Sequence, residues 1–387
     1  MKILIVTLEK CYSYGGILQV WALQNVLKKL GHESYKLDIK LPKGYPLNKK
    51  QVIWNFVKRI RRKYFVGDKN IRIFQEPYYN HPIYTPHHNF IVFLNKYISS
   101  NYVSSIKDIK ENDYDAIIVG SDQVWRKLYV KDRKLLTSNT AADNAFLAFT
   151  KGWNCKRIAY AASFGVDYWE YDAKETIVLK SLINNFNAVS VREDSAISLI
   201  KNNLDSDLHI EHVLDPTLLI DKTEYIKLLK KHNIRKNINE ILVFILDEDN
   251  NKEKIIEYIK SFTKFNIFFA NNPHYSQWTL SPKQRVQPTI TSWLHGFHDA
   301  KIVITDSYHA CVFSIIFEKP FYVILNDTRG TTRIKSLLNI FGLSDRIVHD
   351  IKDIPNINNN INWENIRKIK EKWQKKSLSF LKNSLTT

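Results

Sequence analysis

The chain has 387 residues, 44% of them hydrophobic and 13% aromatic, which is ample for packed cores and excludes a wholly disordered protein; at this length two domains are expected rather than one. Its 57 Lys and Arg against 39 Asp and Glu give a net charge of +18, which points to anionic partners, with ordinary solvated surface as the alternative source of the excess. No stretch approaches the run of about 18 apolar residues that a membrane-spanning helix needs, and Cys11, Cys155 and Cys311 are far apart with no CxxC pair, so neither a zinc site nor a disulfide framework is expected.

In chain order, Lys2 to Leu8 reads as an apolar strand rather than a signal peptide, because the run is too short for one. A cytoplasmic protein is expected. Tyr12-Ser13-Tyr14-Gly15-Gly16 follows as a turn, Ile17 to Leu30 has helical spacing closed by Gly31, and Ser34 to Ile39 is the next strand. This βαβ opening predicts a parallel sheet with right-handed crossovers. Leu47 to Phe65 is a basic amphipathic helix, either a surface helix of the first domain or one that skims the inner membrane face. Further strands are read at 114–119, 157–162 and 188–191, each stopping at small or polar residues (Gly120-Ser121-Asp122-Gln123, Ser163-Phe164-Gly165, Arg192-Glu193-Asp194) in the manner of a ligand-facing edge. His212 to Thr217 reads as the crossing into a second domain. Strands at 240–246, 266–270, 302–305 and 320–325 alternate there with helices at 252–262, 291–300 and 333–341, and a basic helix from Trp363 to Leu381 ends the chain. The expected architecture is α/β: two Rossmann-like domains facing a cleft, 1–210 with an insertion at about 41–110, and 211–387 with the terminal helix. That layout is similar to two-domain (GT-B-like) glycosyltransferases.

Four places can carry chemistry. Gly15-Gly16 either lets backbone approach an anion at a helix start or makes a tight turn; the spacing is not the dinucleotide fingerprint GxGxxG. In Gly120 to Trp125, Ser121 and Asp122 can hydrogen-bond sugar hydroxyls and Trp125 can stack on a sugar ring, unless Asp122 is a helix cap. Arg192, at a strand end, can hold a carboxylate or phosphate with two parallel bonds or pair with a neighbouring acid. Asp306-Ser307-Tyr308-His309 follows an apolar strand, so His309 reads as an anion partner and proton donor rather than a structural histidine. Arg329 and Arg333 follow the next strand near a helix start, which completes a cationic pocket. No Ser/His/Asp triad, HExxH or P-loop is present, and no metal is indicated.

Seven stretches, in this order, resemble the polysaccharide pyruvyl transferase family: YGGILQVWALQNVLKKLGHE, DAIIVGSDQVW, IAYAASFGV, AVSVREDSA, VLDPTLL, ITDSYHACVFSIIFEKPFYVI and RIKSLLNIFGL. They span about 12–346. The resemblance implies a two-domain glycosyltransferase-like fold and transfer of a pyruvyl group from phosphoenolpyruvate to a sugar, giving a cyclic ketal with no cofactor. It places the family's functional residues on Asp306, Ser307, His309 and Arg192, and its later arginine on Arg333 or, in a looser loop position, Arg329. Catalytic roles are expected for His309, Arg192 and Arg333. Substrate contacts are expected from Tyr14, Gly15, Gly16, Ser121, Asp122, Gln123, Ser163, Asp306, Ser307 and Arg329. The implied partners are phosphoenolpyruvate and a sugar or lipid-linked glycan; no RRM, KH or helix-turn-helix signature suggests nucleic acid. Two other readings stay open: a glycosyltransferase using a nucleotide-sugar, and a non-catalytic protein that binds anionic glycan.

Overall fold

A computed structural model describes residues 1–9, 12–40, 49–68, 71–74, 86–137, 142–231, 240–277, 279–354 and 360–386. Cys11 and the start of the basic helix at Leu47 and Asn48 fall outside them. Two parallel sheets form the frame. The first has seven strands, β1 (Lys2–Val6), β2 (Glu33–Ile39), β3 (Ser100–Val103), β4 (Ala116–Asp122), β5 (Lys156–Ala162), β6 (Ala188–Val191) and β7 (Ile210–His212), in the order β3-β2-β1-β4-β5-β6-β7. The second has five, β8 (Ile241–Phe244), β9 (Ile267–Phe269), β10 (Ile302–Thr305), β11 (Phe321–Ile324) and β12 (Ile347–Val348), in the order β12-β11-β10-β8-β9. The central strands are near-continuous apolar runs because a parallel sheet carries helices on both faces and buries both sets of side chains.

Strand order reverses at β1/β4 in the first sheet and at β8/β10 in the second. At such a switch point the connections leave in opposite directions and open a crevice at the carboxyl ends of the strands. The helix α1 (Tyr14–Lys29) starts beyond β1, capped by Ser13, whose Oγ accepts from the Gly16 amide at 3.1 Å. The helices α2 (Lys49–Phe65) and α3 (His88–Tyr97) come next, and β3 returns the chain to the first sheet. Two further helices, α4 (Ala173–Ile183) and α5 (Ser195–Leu204), flank β6 in the chain.

The second unit carries α6 (Lys222–Lys230), α7 (Asn250–Thr263), α8 (Ile290–Asp299), α9 (Tyr308–Phe317) and α10 (Thr332–Phe341). One apolar cluster runs from α1 into this unit: Tyr14 stacks on Trp293 at 5.0 Å, and Trp21 lies 5.4 Å from Tyr225. The last helix, α11 (Trp363–Thr386), bridges both units. Its Arg367 pairs with Glu318 at 2.9 Å, while the Leu385 carbonyl accepts from Lys156 Nζ at 2.8 Å and Ser377 Oγ accepts from the Leu214 amide at 3.0 Å. The strand β7 pairs with β6 in the first sheet, so that unit extends through His212, where the crossing read from sequence (His212 to Thr217) begins.

Candidate active site

A cavity of about 380 Å³ lies between the carboxyl edges of the two sheets. The first unit contributes Ser13, Tyr14, Gly15, Asp122, Gln123 and Tyr129; the second contributes Ser307, His309, Asn326, Arg329 and Arg333. Both switch points therefore open into one hollow. A wider surface groove of about 970 Å³ lies at the amino-terminal edge of the first sheet, around Gly31–Tyr35 and Ser99, and holds none of the residues singled out above.

The centre of the site is Asp215, which follows β7 and is completely buried. Its Oδ2 accepts from Ser121 Oγ at 2.9 Å and from Arg192 Nη1 at 3.0 Å, and stands 3.6 Å from His309 Nε2, an ion-pair distance longer than a hydrogen bond. Its Oδ1 accepts from the Thr217 amide at 3.0 Å and from Thr217 Oγ1 at 2.6 Å. Burial works to raise the pKa of this carboxyl, but His309, Arg192 and Thr217 outweigh it and hold the group far below the usual carboxylate range. Asp122 behaves likewise: burial opposes its charge, and Arg192, His309 and Arg333 prevail, leaving its pKa lowered. Its φ is +82°, in the left-handed region that aspartate tolerates better than most residues, and its Oδ1 accepts from the next amide, that of Gln123, at 3.0 Å.

His309 occupies the first turn of α9 and rests against Gly15 at the start of α1. A methyl group on Gly15 would overlap the imidazole ring, so the missing side chain is what lets the two units meet here. Gly330, at φ +84°, has the same function between units: a Cβ there would overlap the Gly165 carbonyl oxygen.

The three arginines differ in their partners. Arg192 is sealed, with a salt bridge to Asp215 at 3.0 Å, a second to Asp122 at 3.4 Å, and its guanidinium 4.5 Å from the centre of the Tyr308 ring. Arg329 makes two 2.7 Å bonds to the two oxygens of Asp247, which hold that carboxyl at about 2. Arg333 is 7% exposed and lines the cavity. It donates through Nη2 to the Arg329 carbonyl at 2.7 Å and lies 5.6 Å from the Tyr308 ring centre, but it has no ion pair among the described residues and its Nε has no hydrogen-bond partner. Burial and the neighbouring Arg192 lower its pKa to about 10, with Asp122 and Glu193 as partial compensation, so it stays protonated at neutral pH.

The cavity thus collects Tyr14, Gly15, Asp122, Gln123, Asp306, Ser307, His309, Arg329 and Arg333. Gly16, Ser121, Ser163 and Arg192 lie behind its wall. Arg192 does not present a free fork to an anion, because Asp215 and Asp122 occupy it. Ser121 is spent on Asp215, and Gly16 donates to the cap of α1. Ser163 Oγ donates at 2.9 Å to Glu193 Oε1, which also accepts the Phe164 and Gly165 amides. Several lining residues are engaged internally as well. The Tyr14 hydroxyl donates to the Pro288 carbonyl at 3.0 Å, and Gln123 accepts from Arg126 at 3.0 Å. Asp306 accepts from the Leu246 amide at 2.7 Å, Lys252 Nζ at 3.0 Å and Asn326 Nδ2 at 3.1 Å, so it ties the loops after β8 and β11 together. Trp125 is not a sugar platform: it is fully buried, stacked on Phe146 at 4.8 Å, with its indole N–H on the Ala145 carbonyl at 3.0 Å.

Sequence reasoning did not find Asp215 or Glu193 as parts of the site. Glu193 is buried with Oε2 unpartnered, and burial raises its pKa against the pull of Arg192. It also missed an aromatic group in the cavity lining, where Tyr12 stacks on His87 at 4.8 Å and Tyr275 lies 6.3 Å from His87. Among the described residues no cluster of His, Cys, Asp and Glu is arranged to hold a metal ion.

Three solved structures to which the chain is similar at low identity are these. UDP-N-acetylglucosamine 2-epimerase from Rickettsia bellii is 11% identical with a TM-score of 0.45, over 98% of this chain and 96% of its own. The UDP-GlcNAc 2-epimerase of Neisseria meningitidis is 12% identical with a TM-score of 0.46, over 100% and 99%. Acinetobacter baumannii MurG is 10% identical with a TM-score of 0.37, over 98% and 94%. No curated protein matches the chain. The profile of one family, described as polysaccharide pyruvyl transferase, matches residues 14–328, which run from the start of α1 to the loop that carries Arg329 and include Asp122, Arg192, Asp215 and His309; the chain belongs to that family.

Proposed function

We propose that the chain transfers a pyruvyl group from phosphoenolpyruvate to a sugar of a polysaccharide or glycan precursor and closes it into a ketal. The observation that carries this reading is Arg333, a buried guanidinium without a carboxylate partner among the described residues, facing the same cavity as His309. A buried cation left unpaired is costly, and an anionic substrate removes that cost when it binds. Family membership supports pyruvyl transfer to polysaccharide, and phosphoenolpyruvate is the anion whose chemistry needs both a cation and an acid.

In the proposed reaction the methylene carbon of phosphoenolpyruvate takes up a proton, and the adjacent carbon becomes electrophilic. One sugar hydroxyl adds to that carbon, and its proton restores the group that protonated the methylene. The carbon–phosphate-oxygen bond then breaks, and a second hydroxyl adds, with its proton leaving on phosphate. The products are the ketal and inorganic phosphate, and no electrons are exchanged with a further reagent. His309 is the proton donor to carbon or to the departing phosphate. Arg333 holds the substrate anion and Arg329 is its neighbour at the cavity mouth. Asp215 and Arg192 act from behind: the aspartate fixes the imidazole, and Arg192 fixes the aspartate. The acceptor ring rests against Tyr12, His87 and Tyr275, where aromatic faces suit the apolar face of a sugar, with Asp122 and Gln123 at its inner end.

The test is to incubate purified protein with phosphoenolpyruvate or with nucleotide-sugars, each with a panel of glycan acceptors, and to follow release of phosphate or nucleotide. Phosphate release that depends on phosphoenolpyruvate and acceptor together supports the proposal. Nucleotide release, or salt-sensitive glycan binding without turnover, overturns it.

A further inference from the structure

The helix α2 carries seven Lys and Arg and no acid over its 17 residues. Its inward side holds Val52, Phe56 and the buried Arg59, whose Nε donates to the Asn55 carbonyl at 3.1 Å. The opposite side is unusual for a water-facing surface. Ile53, Trp54, Val57, Tyr64 and Phe65 are each between 52 and 83% exposed, and at 3.6 residues per turn they fall on one broad face. Lys50, Lys58, Arg61 and Arg62 are exposed among them or along the margin. Phe74, 5.3 Å from Phe56 in ring centres, adds another exposed aromatic beside the helix.

Burial against the protein core explains an apolar stripe that points inward; here the stripe points outward. An aromatic and aliphatic face mixed with cations matches a helix lying in a bilayer interface, with apolar side chains below the headgroups and cations at the level of lipid phosphates. No described helix is long and apolar enough to cross a membrane, so contact of this kind lies on the surface rather than spanning it. A second copy of the chain is the poorer occupant. A symmetric pairing would press the same cationic face against itself, and like charges repel. We infer that α2 is an interfacial helix that docks the protein on an anionic lipid surface through Trp54, Phe65 and their neighbours, with Lys58 and Arg61 supplying the preference for anionic headgroups.

This inference does not rest on the proposed reaction, and its test uses no substrate. The whole protein is sedimented with vesicles of phosphatidylcholine alone or mixed with phosphatidylglycerol, at low and high salt. The expected result is binding to the anionic vesicles at least ~10-fold above the neutral ones, weakened by salt. The pair Trp54→Ser with Phe65→Ser should lower partitioning by on the order of 100-fold, the loss expected when two large apolar side chains no longer bury. The pair Lys58→Glu with Arg61→Glu should remove the preference for anionic lipid while leaving residual affinity. All these side chains are exposed, so thermal unfolding reports that each variant remains folded. Equal binding to both kinds of vesicle, or full binding by the double serine variant, overturns the inference. So does a protein that is dimeric in solution and becomes monomeric in the double serine variant, since the face is then a self-interface.

Discussion

The two sides of the cleft treat arginine in opposite ways. On the first-sheet side Arg192 is enclosed by Asp215 and Asp122, so its charge is more than matched by the two carboxylates. On the second-sheet side Arg333, almost as deeply buried and packed near the same Tyr308 ring, has no carboxylate of its own among the described residues. Arg192 directly follows β6 and Arg333 sits in the first turn of α10, yet both are buried beside Tyr308; what separates them is their partners. The enclosed pair is architecture, and the unpaired cation is the one with something left to bind.

His309→Ala should have the largest effect on turnover, a loss of about 10²–10⁴ in kcat with the melting temperature little changed, as expected for removal of a placed proton donor. Near-normal turnover in that variant would remove the histidine from the mechanism. The arginines should then diverge. Arg192→Leu leaves Asp215 and Asp122 buried without their cation and should cost about 3–5 kcal/mol of stability, read by denaturant unfolding. Arg333→Leu should weaken phosphoenolpyruvate binding or slow turnover by about 10²–10³ and leave the protein as stable as before or more so, because it deletes a buried charge with no counter-ion. Equal destabilisation by both substitutions would erase the distinction.

Acidification probes the enclosed side through the difference between the parent and Arg192→Leu, because Asp247 across the cleft, also held low, titrates alike in both. Asp122 and Asp215 are held below their ordinary pKa of about 3.9, so the stability they contribute is present at neutral pH. It starts to go as pH falls toward that value and continues to go as pH drops through the depressed folded pKa values. Melting temperature followed from neutral pH down to about 3 should therefore fall less steeply in Arg192→Leu than in the parent. The smallest effect is expected from Arg329→Ala, a change of about threefold in phosphoenolpyruvate affinity, since Asp247 already neutralises that guanidinium.

The frame was legible because parallel strands buried on both faces are apolar runs, and nine of the twelve strands were read from the sequence. The strand β3, Ser100-Asn101-Tyr102-Val103, was not, because an edge strand with one buried side chain has no run to read. His309 was legible from its place beyond β10. Asp215 was not: along the chain it is an aspartate before Pro216, the signature of a cap, and its partners Ser121 and His309 are each 94 residues away. Trp125 misled for a related reason. A tryptophan beyond a glycine-containing strand end suits a sugar platform, but Ala145, 20 residues on, satisfies its indole and draws it into the core.

The most direct measurement is a calorimetric titration of phosphoenolpyruvate into the protein and into its Arg333→Leu and Arg329→Ala variants, with a nucleotide-sugar titrated in parallel. The proposed function predicts binding of phosphoenolpyruvate that falls by at least ~100-fold in the first variant and by about threefold in the second. No binding of phosphoenolpyruvate, with binding of the nucleotide-sugar in its place, would contradict it.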